Sequence, residues 1–488
     1  MRKLGEALEE KKAIQLTKRK AFPYIVYTVL YVLALVFAEY QADYGAAVCL
    51  MAAALYLYLI FARKGESLVD LKALFSLSWV GGEGIACLKL SRLSAPWEPA
   101  TWFCFFLAYL SFCIGYDIWF EGRPGFLRSK AEKRTKERRE LPGDERMAKR
   151  ILFCIAGLML CSIACFCLEA VVVGYIPILS SKPHAYSYFH VSGVHYFTIS
   201  CILIPGLSLL YWKLARGAEK EKKGSGLGIK EWGILLLGNL TAFAIPIICV
   251  SRFQLLFALG FAGVIYLLLY RRISWKMVVA GIVLIIPLYV LLTVFRHHDV
   301  DYLNGIFEMK NSSIPIFITQ PYIYVANNFE NFNCMVRDLV SHSWGSRMLF
   351  PVWALTGLKF VFPQLTAAPV YITKAELTTL TLFYDAYYDF GICGIFVFAL
   401  ALGALAGWMK RRLQRDGNPV FYMFYGQMAI YLGLSFFTTW FSNPTTWFWA
   451  AATFMMYLLV GYRKRRKEQN EEGSDRGDHS DIQTGKTD

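Results

Sequence analysis

The sequence predicts an all-α polytopic membrane protein with about twelve transmembrane helices and one large extracytoplasmic loop. Three observations predict it. Only 18% of the residues are charged and 56% are hydrophobic, against roughly 25% charged in a soluble domain. Apolar stretches of about 20 residues recur between short polar ones, and that length spans a hydrocarbon core of roughly 30 Å at about 1.5 Å per residue. Finally, the lysines and arginines alternate in density from one interval to the next, as they do when positive charge resists translocation.

Candidate spans lie at 21–38, 44–62, 68–90, 100–120, 151–173, 195–212, 232–250, 253–270, 277–295, 384–409, 420–441 and 445–462. The stretch 68–90 is the least regular, because Asp70, Lys72 and Glu83 lie in or beside it. Placing the N-terminus in the cytoplasm puts 41 of the 51 lysines and arginines on the cytoplasmic side and 10 outside. Both termini are then cytoplasmic. Residues 1–20 read as a charged amphipathic arm along the headgroups, 21–462 as the transmembrane domain, and 463–488 as a polar, disordered tail. The net charge of +15 is an orientation signal, and no nucleic acid is needed to explain it. The basic run 123–150 reads as a solvated loop that touches anionic lipid.

Eleven of the twelve cysteines lie in or at the ends of apolar segments, and Cys334 is the exception. That pattern suits small buried hydrophobes rather than a disulfide framework. No Cys-x-x-Cys pair with matching histidines suggests zinc. His297 and His298, beside Asp299 and Asp301, have no recognised metal spacing on one helix face. Neither a metal nor a cofactor is expected.

Most outer loops are very short. The large one, at about 296–382, contains two proline-interrupted apolar stretches, 314–325 and 349–362. They are too short to cross and are expected to lie on the outer surface or dip partway in. A smaller outer loop runs over 174–194.

Cations on the disfavoured face point to chemistry. Arg252 stands at a tight turn, Val250-Ser251-Arg252-Phe253, between two spans. It is either an anion site for phosphate or diphosphate, through its planar bidentate donors, or an arginine snorkelling to headgroups. Arg296 ends the ninth span, a common place for a cation. Arg337, His342 and Arg347 gather in the large loop near Glu330 and Asp338, as surface ion pairs or as contacts to an anionic lipid-borne substrate. Asp385 and Asp389 are one helical turn apart at the outer mouth of the tenth span, so a helix places both on one face. They could orient an arginine or take a proton from a sugar hydroxyl. Otherwise they cap the helix start.

The stretch Tyr388-x-Asp-Phe-Gly391-x-x-Gly394, followed by Leu402-Gly403 and a basic end, resembles the oligosaccharide repeat-unit polymerase family, the O-antigen polymerases of the Wzy type. The Ser251-Arg252 turn, the long outer loop and the Gly174-Tyr175-Ile176-Pro177 exit from the fifth span fit as well. The resemblance covers roughly 150–410. It implies a GT-C-like glycosyltransferase of the bacterial plasma (inner) membrane that joins oligosaccharide units carried on undecaprenyl diphosphate at the outer face. It implies that arginines hold the diphosphate: Arg252, and Arg296, Arg347 or Arg337. Asp389, Asp385 or His342 would serve catalysis. Its partners would be membrane lipids, a flippase and a chain-length regulator. Two alternatives stand beside it. One is an O-antigen-type ligase, which shares the long loop. The other is a lipid-linked oligosaccharide flippase, which should show charged or broken helices deep in several spans and two-fold internal symmetry. No repeat is visible.

Overall fold

The computed structural model describes residues 2–121, 144–180, 185–221, 228–271, 300–366 and 369–461, with isolated positions in 275–283. Among the described residues the regular structure is all helical, apart from a lone β-bridge between Ser91 and Met309. Eight helices are long and apolar enough to cross a membrane: Ala21–Glu39, Asp43–Gly65, Pro99–Phe120, Glu145–Val173, Val194–Gly217, Ile229–Ile248, Arg252–Tyr270 and Tyr384–Leu413. The chain is thus a multi-pass membrane protein. The helices share two ends. A basic end gathers Lys64, Lys72, Arg150 and Lys410–Arg412, and a loop end gathers most of the long connections.

Eight of the twelve expected spans correspond to these helices; of the other four, 68–90 and 420–441 differ, 445–462 is one helix outside the eight, and 277–295 is described only at isolated positions. Arg296, the rest of 277–295 and the tail 463–488 fall outside the described residues. The stretch 420–441 is not one helix: Phe421–Gly433 stops after 13 residues. There the chain turns, and the Ser435 amide donates to Ser78 Oγ (3.2 Å) while its carbonyl accepts from the Leu382 amide (2.8 Å). The last stretch is an 18-residue helix, Pro444–Gly461, that Asn443 caps through the Thr445 amide (3.0 Å). The stretch 2–20 is helical and continuous with the first span, in a single helix Arg2–Glu39.

The 68–90 stretch is the most altered. It forms three joined pieces: Leu71–Phe75, a π turn at Ser76–Val80, and Gly81–Ala86. Asp70 caps it through the Lys72 and Ala73 amides (3.1 and 3.3 Å). Its polar residues set it apart from a lipid-facing span, and they explain its place, buried among the other helices. At the basic end Lys410 Nζ meets Asp70 (2.9 Å) and Lys72 meets Asp117 (2.6 Å). At the loop end Lys89 meets Glu330 (2.5 Å). Pairing of this kind is what allows charge inside a bundle.

Helices Pro99–Glu121 and Tyr384–Leu413 pack backbone to backbone. A Cβ at Gly403 would lie 2.0 Å from the Phe112 carbonyl oxygen, and one at Gly115 would lie 2.1 Å from that of Leu400. Small residues permit this approach, which is how helices associate where lipid supplies no hydrophobic drive. The pairing sets the height and rotation of the helix that carries Asp385 and Asp389.

The large loop is more structured than its sequence suggests. Stretch 314–325 opens a 23-residue helix, Ile316–Asp338. Phe317 and Ile318 are exposed, as expected of a surface element, but the following half is buried, including Asn327, Asn328, Asn331 and Asn333. Stretch 349–362 becomes two short helices, Phe350–Leu355 and Leu358–Val361. Leu349, Val352, Leu355, Phe360 and Val361 are exposed on them, the pattern of a segment resting in the membrane interface.

Candidate functional site

The asparagines of helix Ile316–Asp338 build the floor. Asn331 Nδ2 donates to the carbonyls of Leu377 (2.8 Å) and Thr379 (2.9 Å), and its Oδ1 accepts from the Thr373 amide (2.8 Å). Asn328 reaches the Phe436 carbonyl (2.8 Å), and Asn333 accepts from the Glu98 amide (2.8 Å). Segment 371–382 is thereby laid against the start of helix Tyr384–Leu413. Tyr384 completes the join: its hydroxyl donates to the Tyr371 carbonyl (3.0 Å) and accepts from the Tyr371 amide (2.9 Å).

Asp385 and Asp389 do share a face, and the 342–349 turn folds onto it. Asp389 is fully buried. Its Oδ1 accepts from the Ser343 hydroxyl and the Arg347 amide (3.3 Å), and its Oδ2 accepts from the Met348 amide (2.8 Å). It therefore caps a neighbouring turn rather than its own helix. The turn also returns two amides: Ser343 to the Tyr388 carbonyl (3.4 Å) and Trp344 to that of Asp389 (3.2 Å).

This docking places Arg347. Its Nε donates to Asp385 Oδ1 (2.6 Å), and its guanidinium carbon lies 4.7 Å from the Tyr388 ring centre and 5.4 Å from that of Tyr384. Burial works against the charge, and the Asp385 carboxylate outweighs it, so the guanidinium holds its proton above the ordinary arginine range. Among the described residues, the two terminal nitrogens make no hydrogen bond. The side chain keeps 16% exposure, so these donors open to the loop end.

His342 stands on the exposed side of the same turn. Its Nδ1 lies 3.2 Å from the Tyr388 carbonyl oxygen, which can only accept, so Nδ1 carries the proton. Nε2 is then the acceptor of the neutral ring. It sits 3.0 Å from where a Cβ would be at Gly391. Gly391 has φ 60° and ψ −144°, a conformation that is open to glycine and strained for other residues. The glycine of the Tyr388-x-Asp-Phe-Gly391 stretch thus breaks the helix beneath the histidine.

Two expected arginines are not part of this cluster. Arg337 is half-exposed and forks onto Asp338 through Nε (2.7 Å) and Nη2 (2.8 Å). That pairing lowers the Asp338 carboxyl below its usual range. Arg252 is buried at the first turn of helix Arg252–Tyr270. It shares the loop end, where the adjacent Phe253 stacks on Phe437 (5.2 Å). Sequence reasoning missed Ser343, Tyr384 and the asparagines, and it named Tyr388 only as part of a motif. Its one usable signal was Asn327 and Asn331, four apart in a run rich in aromatics and asparagines. Among the described residues, no group of three or more His, Cys, Asp and Glu gathers as a metal site would. No protein-family model, curated protein or solved structure matches the chain.

Proposed function

We propose that this chain is a GT-C-like polysaccharide polymerase of the bacterial plasma membrane. It joins oligosaccharide units carried on undecaprenyl diphosphate, with its loop end outside and its basic end and termini in the cytoplasm. The observation that carries this reading is Arg347. It is a seated guanidinium with Nε bound to Asp385, aromatic walls, and terminal donors open, beside the exposed apolar segment 349–362. A lipid-borne anion moving along the membrane surface would meet that segment first and the arginine next.

In this scheme an acceptor sugar hydroxyl attacks the anomeric carbon of the donor unit. The bond to the carrier diphosphate breaks, and Arg347 takes up the charge that develops on the leaving oxygens. Asp385 orients the arginine. The hydroxyl proton passes to His342 Nε2, because both oxygens of Asp389 are occupied by the turn they cap. Two carrier-borne substrates bring two diphosphates, and Arg252 at the same end is assigned to the second. Arg337, forked onto Asp338, has no part.

A flippase is the second reading. The π turn at Ser76–Val80 and the buried Glu83 favour it, since broken, charged helices mark transport paths. A deletion strain decides between them. Single lipid-linked units accumulating on the outer face support polymerisation. Units trapped inside overturn it in favour of a flippase. Long chains that form but stay on their carrier overturn it in favour of a ligase.

A further inference from the structure

Three helices leave a groove on the flank of the bundle. Helix Phe421–Gly433 has only 13 residues, about 20 Å of length, and it lies between the longer helices Tyr384–Leu413 and Pro444–Gly461. Each helix turns one stripe into the gap, because residues three and four apart share a face. Phe421, Phe424 and Met428 make the floor. Leu405, Trp408 and Arg412 make one wall, and Ala450, Phe454 and Tyr457 make the other. The space holds about 400 Å³ and its lining is almost wholly apolar. The buried Gln427 on the floor donates its amide to the Thr453 hydroxyl (2.7 Å). Leu405, Trp408 and Phe454 are exposed along the rim, so the groove opens sideways, toward lipid.

Its two ends differ. At the loop end Phe441 closes it, packed on Phe398 (5.7 Å) and Tyr431 (6.2 Å), with its carbonyl accepting from the Trp447 indole (2.8 Å). At the basic end Arg412 stands in the mouth. Its Nε donates to Asp416 Oδ2 (2.9 Å), an oxygen that also accepts from the Tyr457 hydroxyl (2.9 Å). Residues 411–416 hold Arg411, Arg412 and Arg415 against the single carboxylate of Asp416. Arg411 reaches back to the Phe120 carbonyl (2.9 Å), while Arg412 and Arg415 are exposed. The mouth therefore carries an excess of positive charge.

Length and charge together select the occupant. From Trp447 to Tyr457 the helix rises about 15 Å, half of a hydrocarbon core of roughly 30 Å. One acyl chain of a lipid in the leaflet at the basic end covers that distance, and its phosphate then arrives at Arg412 and Arg415. Basic pockets between membrane helices hold anionic head groups in this way. A lipid held at Arg347 would have to enter past Phe441, at the closed end. We propose that the groove is a binding site for an anionic diacyl phospholipid, with an acyl chain between Trp408 and Phe454 and the phosphate at Arg412 and Arg415. The site does not rest on the polymerase reading.

The test is native mass spectrometry of the full chain released from vesicles of phosphatidylethanolamine, phosphatidylglycerol and undecaprenyl phosphate in equal parts. Wild-type protein retains phosphatidylglycerol several-fold over the other two. Arg415→Gln, a change at an exposed residue, lowers that preference, and Arg412→Gln together with Arg415→Gln removes it. Ala450→Phe fills the groove without altering a charge and lowers phosphatidylglycerol retention several-fold. Size-exclusion profiles establish that each variant is folded. Equal retention of the two phospholipids by wild type overturns the site, as does undiminished phosphatidylglycerol retention in folded Ala450→Phe or in Arg415→Gln. Selective retention of undecaprenyl phosphate overturns it in favour of an isoprenoid groove.

Discussion

Replacing Asp389 separates a structural role from a chemical one. Its oxygens accept from the Ser343 hydroxyl and from the Arg347 and Met348 amides. Asp389→Ala strips all of these donors of their acceptor in a partly buried turn. Losing such a cap costs about 2–4 kcal/mol locally, from about 1–3 kcal/mol for each buried donor left unsatisfied, reduced where water replaces the acceptor. At about 1.4 kcal/mol per tenfold, turn 343–349 then opens roughly a hundredfold more often. Amide hydrogen exchange in nanodiscs reads this directly, peptide by peptide. The expectation is faster exchange over 343–350, little change in helix Pro99–Glu121, and loss of chain extension because Arg347 is no longer seated. Asp389→Asn keeps one acceptor and turns an amide group toward Met348, so it falls between wild type and alanine in both measurements. A general base would behave otherwise. Asparagine would then be as inactive as alanine while exchange stayed at the wild-type rate, and that outcome would refute the capping argument.

Arg347→Lys is expected to abolish chain extension at normal protein level, because an ammonium cannot bind Asp385 and still present a planar pair of donors; normal chain length in that variant would exclude the diphosphate role. Arg252→Ala should shorten chains without changing abundance, and Arg252→Lys should rescue poorly, both read on a polysaccharide gel. Arg337→Ala should leave chain length unchanged and shift stability by less than about 1 kcal/mol, as exposed pairs do. The Asp338 carboxyl is lowered by Arg337, so the pair's small contribution is present above the ordinary carboxylate range and fades as pH falls through the lowered value; thermal melts of wild type and variant should therefore converge in acid. Gly403→Ala sets a Cβ about where the Phe112 carbonyl lies, 2.0 Å away, so the two helices must part. The expected result is a fall in folded protein of several-fold by fluorescence size-exclusion, with Ala404→Gly as a tolerated control.

Much of the fold was legible because long apolar runs and the distribution of lysine and arginine are local properties. Helix Glu145–Val173 and helix Asp43–Gly65 can be read from either one. Segment 71–86 could not be read so well, because its charges are meaningful only with partners far along the chain. Lys72 needs Asp117, and Asp70 needs Lys410. Viewed alone, Glu83, Lys72 and Asp70 argue against a span. Seen with their surroundings, they fit a segment enclosed by other helices, which can carry groups that lipid would reject. Helix Ile316–Asp338 follows the same logic. Its asparagines look like a solvated face, yet they hold segment 371–382 by hydrogen bonds that no spacing rule announces.

The site shows where sequence reasoning stops more sharply. Arg337 and Arg347 are alike in residue type and lie in the same long connection between helices. What separates them is which donors are taken. Asp338 adjoins Arg337 and closes on Nε and Nη2 together, satisfying the bidentate face that a phosphate would use. Asp385 comes to Arg347 across a fold and takes Nε alone, while Tyr384 and Tyr388 fix the plane of the guanidinium. The first arrangement neutralises a cation. The second aims one, and it depends on the Asp389 cap, on the break at Gly391 and on the contact at Gly403 that sets the helix. The proposed ligand role of Arg347 follows from the donors its partner leaves open, and that depends on three-dimensional placement that composition and spacing do not encode.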